Sequence, residues 1–142
     1  MFKSGPAPDV TFVSLKGEKI AIADLRGKVV LVNFWATNCA TCVDEMPRLV
    51  EAYNKYHGQG FETIAVAMSY DRPDYVLNFA ETRQLPFTVT LDLKGELAQQ
   101  FGGVRLTPTA YLIDKQGRMI RRYLGEPDFD QLHALIEKEL KG

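Results

Sequence analysis

Val29-Val30-Leu31-Val32-Asn33-Phe34-Trp35-Ala36-Thr37-Asn38-Cys39-Ala40-Thr41-Cys42 is the stretch whose reading decides the rest. Its first half is nearly continuous in Val, Leu and Phe, interrupted by Asn33. Such a run, predicted as a strand from Lys28 to Trp35, suits burial on both faces of a sheet. A helix is predicted over Ala40 to His57. There Met46, Leu49, Val50, Tyr53 and Tyr56 recur at helical spacing, with Asp44, Glu45, Arg48, Glu51 and Lys55 between them. Gly58 and Gly60 end it. Cys39 and Cys42 therefore stand where a buried strand gives way to a helix.

That placement has chemical consequences. The first N–H groups of a helix lack intrahelical partners, and the dipole is positive there. A thiolate at that end is stabilised and becomes nucleophilic near neutral pH. Residues three apart share a helix face with Cβ atoms about 5–6 Å apart, whereas a disulfide wants about 3.8 Å. Cys39 precedes the regular helix, so its backbone is free to close the gap. Attack by one thiolate on a disulfide gives a mixed disulfide, which the second thiol resolves. Cys39 is expected to attack and Cys42 to resolve. Glu45 follows Cys42 by three residues. It is either a proton carrier for the pair or a first-turn carboxylate favouring the dipole, and both readings stand at this point.

Working outward, residues 1–8 hold Gly5, Pro6 and Pro8 and read as a loose leader. Val10 to Leu15 and Lys19 to Ile22 form a predicted hairpin about Lys16-Gly17, and Asp24-Leu25-Arg26-Gly27 a turn. After the first helix come a strand over Phe61 to Met68, a helix from Pro73 to Arg83, a strand over Thr88 to Leu91 and a short helix over Gly95 to Phe101. Strands over Thr109 to Ile113 and Met119 to Tyr123 are joined by Asp114-Lys115-Gln116-Gly117, a hairpin signal. A last helix runs from Asp128 to Leu140, with Asp128 and Gln131 as a variant capping box. The β-α-β part implies parallel strands with right-handed crossovers, and the late hairpin adds antiparallel ones. The class is α/β: a central mixed β-sheet flanked by helices on both faces, with an N-terminal β-hairpin extension.

Length and composition bound the rest. The chain has 142 residues, 46% hydrophobic and 25% charged, and fits a single domain over 1–142. Its 17 basic and 18 acidic residues leave a net charge of −1, so no basic face for nucleic acid is predicted. Two cysteines are too few for a disulfide framework or a self-contained zinc site. The start, Met1-Phe2-Lys3-Ser4-Gly5-Pro6, has no hydrophobic core of a signal peptide. The native protein is then either cytosolic or exported by a leader outside this sequence. His57, near a helix C-terminus, is read as a surface charge, and His133 as a solvated position; no metal site is expected. Ala36, three residues before Cys39, is not the Thr or Ser of a peroxidase. No Gly-rich phosphate loop follows any strand.

The 29–42 stretch with Glu45-Met46-Pro47 resembles the TlpA/ResA/CcmG-like branch of the thioredoxin-fold proteins. The likeness extends through Ala7-Pro8-Asp9, Asp24-Leu25-Arg26-Gly27-Lys28, Gly60-Phe61-Glu62, Leu85-Pro86-Phe87, Thr107-Pro108-Thr109 and Leu112-Ile113-Asp114-Lys115-Gln116-Gly117. The resemblance implies a thioredoxin-like fold and thiol–disulfide exchange on protein disulfides without an external cofactor. It implies that Pro108 is a cis-proline facing the cysteines and that Glu45 is the acidic residue this branch carries behind its active site. Asn33 stands where thioredoxin has a buried Asp. Trp35, Asn38, Ala40, Thr41, Thr107 and Pro108 are the implied substrate-binding residues. Asn38 departs from the Trp usual before the first Cys, replacing a flat apolar shelf by a small amide.

By the same resemblance the protein is expected to be a monomeric reductant in the periplasm or another extracytoplasmic space, tethered to the membrane through a leader. Cytochrome c maturation is its expected setting, with protein thiols, apocytochrome c and a membrane electron donor as partners. A cytoplasmic location stays open. The alternatives are a disulfide oxidase or isomerase, or a metallochaperone holding Cu(I) on two thiolates.

Overall fold

The structure is a computed structural model that describes residues 2–142. Strand β4, Val29–Trp35, lies inside the sheet with all seven residues buried. β5 (Phe61–Ala67) runs parallel to it on one side and β7 (Thr109–Ile113) antiparallel on the other. β6 (Thr88–Leu91) extends the sheet beyond β5 in parallel, and β8 (Arg118–Leu124) pairs antiparallel with β7. The six-stranded order is β1-β8-β7-β4-β5-β6, with β1 at Gly5–Pro6. Double-sided burial explains why β4 reads as a continuous apolar run rather than an alternating one.

Helices α1 (Ala40–Tyr56) and α2 (Pro73–Thr82) connect β4 to β5 and β5 to β6. Both crossovers step the same way across the sheet, so right-handedness places both helices on one face. Helix α4 (Phe129–Lys141) joins them. Trp35, Met46, Leu49, Val76, Leu132 and Ile136 form that side's core. α3 (Glu96–Gln100) returns over the opposite face, where Phe34, Phe101 and Tyr111 pack with Phe12 and Ile22. Phe12 lies in the separate two-stranded sheet of β2 (Thr11–Val13) and β3 (Lys19–Ala21), the expected hairpin. Helices thus cover both faces, as expected.

Three readings need correction. Residues 5–7 are not a loose leader: Gly5 and Pro6 pair with Met119 and Arg118, and the Ala7 N–H donates to the Gly117 carbonyl at 2.9 Å. Without β1 the outer edge of β8 would have unpaired backbone groups, and an edge strand tolerates a proline. Met1 lies outside the described residues. Asp24-Leu25 belongs to a 3-10 turn over Ile22–Leu25 rather than opening a plain turn. His133 is not simply solvated, because Tyr56 reaches across from α1 to place its hydroxyl 3.1 Å from His133 Nδ1. His57, as read, caps the end of α1, where it stacks on Tyr53.

Candidate active site

The turn from Ala36 to Cys39 carries the chain out of the sheet, its Cys39 N–H bonded to the Ala36 carbonyl at 3.1 Å. Cys39 is the N-cap of α1 with an extended backbone (φ −96°, ψ 105°). This non-helical conformation brings the Cα atoms of Cys39 and Cys42 to 5.2 Å, and the two form a disulfide. Cys39 Sγ accepts the Cys42 N–H at 3.2 Å, using one of the orphan donors of the helix start. Its other polar neighbour is the Thr107 carbonyl oxygen at 3.6 Å, to which a reduced Cys39 thiol can donate. Cys42 is fully buried, while Cys39 is half-buried and accessible from solvent.

The Thr107–Pro108 peptide is cis, as the resemblance implied, and leads into β7 beside the disulfide. Pro108 is buried and Thr107 half-buried. Asn38, Ala40 and Thr41 are exposed around the disulfide and form its rim. Trp35 is placed differently from the expectation. It is 0% exposed and packs on Phe79 with ring centroids 5.2 Å apart, so it lies in the floor and cannot touch a substrate directly.

Glu45 faces inward from α1 and is 1% exposed, and neither carboxylate oxygen has a hydrogen-bond partner among the described residues. It lies beyond the first turn of the helix, which removes the surface dipole-partner reading. Burial pushes its carboxyl up to about 8; Glu126 raises it further and Arg48 opposes them. Arg48 and Glu126 pair at 2.7 Å on the surface above it. Asn33 is equally buried, and neither of its side-chain polar atoms has a partner among the described residues. It shares the sheet face of Leu31 and Trp35, the face α1 covers.

The sequence reading missed Asp71. Its two carboxylate oxygens accept the Thr37 N–H and the Thr37 hydroxyl, each at 2.6 Å. A loop aspartate 34 residues from its partner gives no spacing signal.

An accessible sulfur at a helix N-terminus, joined to a buried one and faced by a cis-proline loop, is a site built for thiol–disulfide exchange. The Redoxin family profile matches residues 3–136. The thiol–disulfide oxidoreductase ResA of Bacillus thuringiensis subsp. konkukian is 40% identical over 133 residues, covering 93% of this chain and 75% of the relative. ResA of Geobacillus thermodenitrificans is 38% identical over 131 residues, covering 92% and 74%. A solution structure from Neisseria meningitidis, of a protein named as a thioredoxin, superposes with TM-score 0.89 at 38% identity, covering 96% of this chain and 90% of that one. A thiol:disulfide interchange protein of the thioredoxin family from Chlorobium tepidum superposes with TM-score 0.87 at 26% identity, covering 99% of each. The chain belongs to the Redoxin family and is a thiol–disulfide oxidoreductase with a thioredoxin-like fold and a Cys39–Cys42 pair.

Proposed function

We propose that the chain is an extracytoplasmic reductant of protein disulfides, of the type that serves cytochrome c maturation, acting as a single domain and a monomer. The observation that carries the direction of electron flow is the surroundings of Cys39 Sγ, a carbonyl oxygen at 3.6 Å and a single backbone N–H at 3.2 Å. A carbonyl favours the protonated thiol and repels a thiolate. The Thr107 carbonyl thus offsets part of what the helix N-terminus gives a Cys39 thiolate, so the reduced form is favoured less and the pair gives up its electrons more readily. The setting outside the cytoplasm, apocytochrome c as target and a membrane thiol donor rest on the resemblance to the TlpA/ResA/CcmG-like branch.

In the proposed reaction the Cys39 thiolate attacks a target disulfide. A Cys39–target S–S bond forms, the target S–S bond breaks, and the first target sulfur leaves and takes a proton. The Cys42 thiol then loses its proton and attacks Cys39 Sγ, releasing the second target sulfur as a thiol. The target gains two electrons and two protons, and the cysteine pair becomes the disulfide seen here. The exposed rim of Asn38, Ala40 and Thr41 and the Thr107 backbone border the path of the incoming chain. Glu45 is the proposed proton carrier for Cys42. With its carboxyl near 8, roughly one in ten is ionised at pH 7, enough to pass a proton in either direction.

Insulin reduction with dithiothreitol tests the reading. Turnover lost in Cys39→Ser supports it. Stoichiometric Cu(I) binding without turnover would instead favour the metallochaperone.

A further inference from the structure

The turn that presents Cys39 is held by a residue outside the cysteine motif. Asp71 lies in the connection between β5 and α2 and is 9% exposed. Both of its oxygens are engaged by Thr37, one by the backbone N–H and one by the hydroxyl, at 2.6 Å each. Hydrogen bonds to an ionised carboxylate are about twice as strong as neutral ones. The loop carrying Asp71 is itself tied down: the Met68 N–H donates to the Trp35 carbonyl at 2.9 Å, and the Asp71 N–H to the Met68 carbonyl at 3.0 Å. A closed ring of bonds therefore runs from the end of β4 through the end of β5 and back to Thr37. Cys39 is two residues beyond that ring, joined to it by the Cys39 N–H to Ala36 carbonyl bond.

We propose that Asp71 is a positioning residue for thiol–disulfide exchange: by clamping Thr37 it fixes the Ala36–Cys39 turn and thereby favours closure of the Cys39–Cys42 disulfide. The inference rests on the reading of this pair as the exchanging one. Closure is intramolecular, so its equilibrium constant scales with the effective concentration of one sulfur at the other. A loose turn spreads Cys39 Sγ over more positions and lowers that concentration.

The test is equilibration of the full chain with glutathione buffers. Two protein thiols and oxidised glutathione give the protein disulfide and two glutathione thiols, and the oxidised fraction is read by alkylation and mass. Asp71→Ala is expected to lower the closure constant about tenfold, which is a potential about 30 mV less negative. Thr37→Val, which removes one of the two bonds, should lower it severalfold. Thr37→Ser, which keeps the hydroxyl, should stay within twofold of the parent. The Asp71→Ala/Thr37→Val double variant should be no worse than Asp71→Ala alone. A folded Asp71→Ala with the parent's closure constant overturns the proposal, as does a double variant whose loss is the product of the two single losses. Should Asp71→Ala fail to fold, Thr37→Val at its half-buried position decides alone: an unchanged constant overturns the clamp. A parent protein that does not exchange with glutathione at all contradicts the underlying reading instead.

Discussion

Glu45 follows Cys42 by three residues in α1, and the two side chains are buried on the same face of that helix, 1% and 0% exposed. An unpartnered carboxyl at that depth is held as the neutral acid, because ionising it would strand a charge away from water.

This fixes a pH dependence of stability. Unfolded, Glu45 titrates near 4.3; folded, it titrates at about 8. The native state therefore binds more protons across that window. The stabilisation is fully present below the unfolded value and is lost as pH rises through the folded one. Glu45→Gln, a neutral near-isostere, should remove the dependence and leave the oxidised protein more stable than the parent at pH 8, by up to a few kcal/mol. Urea unfolding of both proteins at pH 5 and pH 8 measures this. Parallel stability curves for the two would contradict it.

The same residue should shape the kinetics. In the parent, resolution of a Cys39 mixed disulfide should quicken as pH rises toward 8, where Glu45 can accept the Cys42 proton. Glu45→Gln should slow that step by roughly a hundredfold, the lower end of general acid–base contributions. Stopped-flow reaction with a mixed-disulfide reporter reads it, and an unchanged resolution rate retires the proton-carrier role.

Glu126 and Arg48 should tune Glu45 in opposite senses. Glu126→Gln removes a charge that raises the Glu45 carboxyl, so the titration should move down; Arg48→Gln removes a lowering charge and should move it up. Both side chains are partly exposed, so the shifts should be fractions of a pH unit and shrink in salt. Carboxyl titration by NMR at low and high salt follows them, and shifts of the same sign in the two variants would be inconsistent with this picture.

Cys39 should be the sulfur that reacts first with reagents and substrates, being half-buried where Cys42 is fully buried. Limiting iodoacetamide on the reduced protein should label Cys39, and Cys42→Ser should accumulate mixed disulfides. Preferential labelling of Cys42 would reverse the assignment.

Most of the framework was legible because it is local. The Val29–Trp35 run, the helical spacing from Met46 to Tyr56 and the capping pair Asp128–Gln131 announce their own elements, and the cap bond is present at 3.1 Å. Helix α1 even continues through Pro47, whose missing N–H leaves the Val43 carbonyl without its usual partner, because Met46 and Leu49 bury the helix against the sheet. What escaped the sequence depends on tertiary depth or distant pairing. Gly5-Pro6 becomes a strand only because β8 presents an open edge. The spacing placed Glu45 near the cysteines, but its depth under α1 was needed to choose between proton carrier and dipole partner. Trp35 at the end of β4, implied by the resemblance as a substrate-binding residue, is seen to be core only once Phe79 of α2 packs on its ring. The bond between Asp71 and Thr37 joins two unremarkable polar loop residues and has no periodic signature.

The central claim is that Cys39–Cys42 gives electrons to protein disulfides, and its reduction potential tests this most directly. The account predicts a value at the reducing end of the thioredoxin-like range, near the roughly −270 mV of thioredoxin itself. A potential near the roughly −120 mV of a strong disulfide oxidant would contradict it, and the direction of electron flow would have to be reversed.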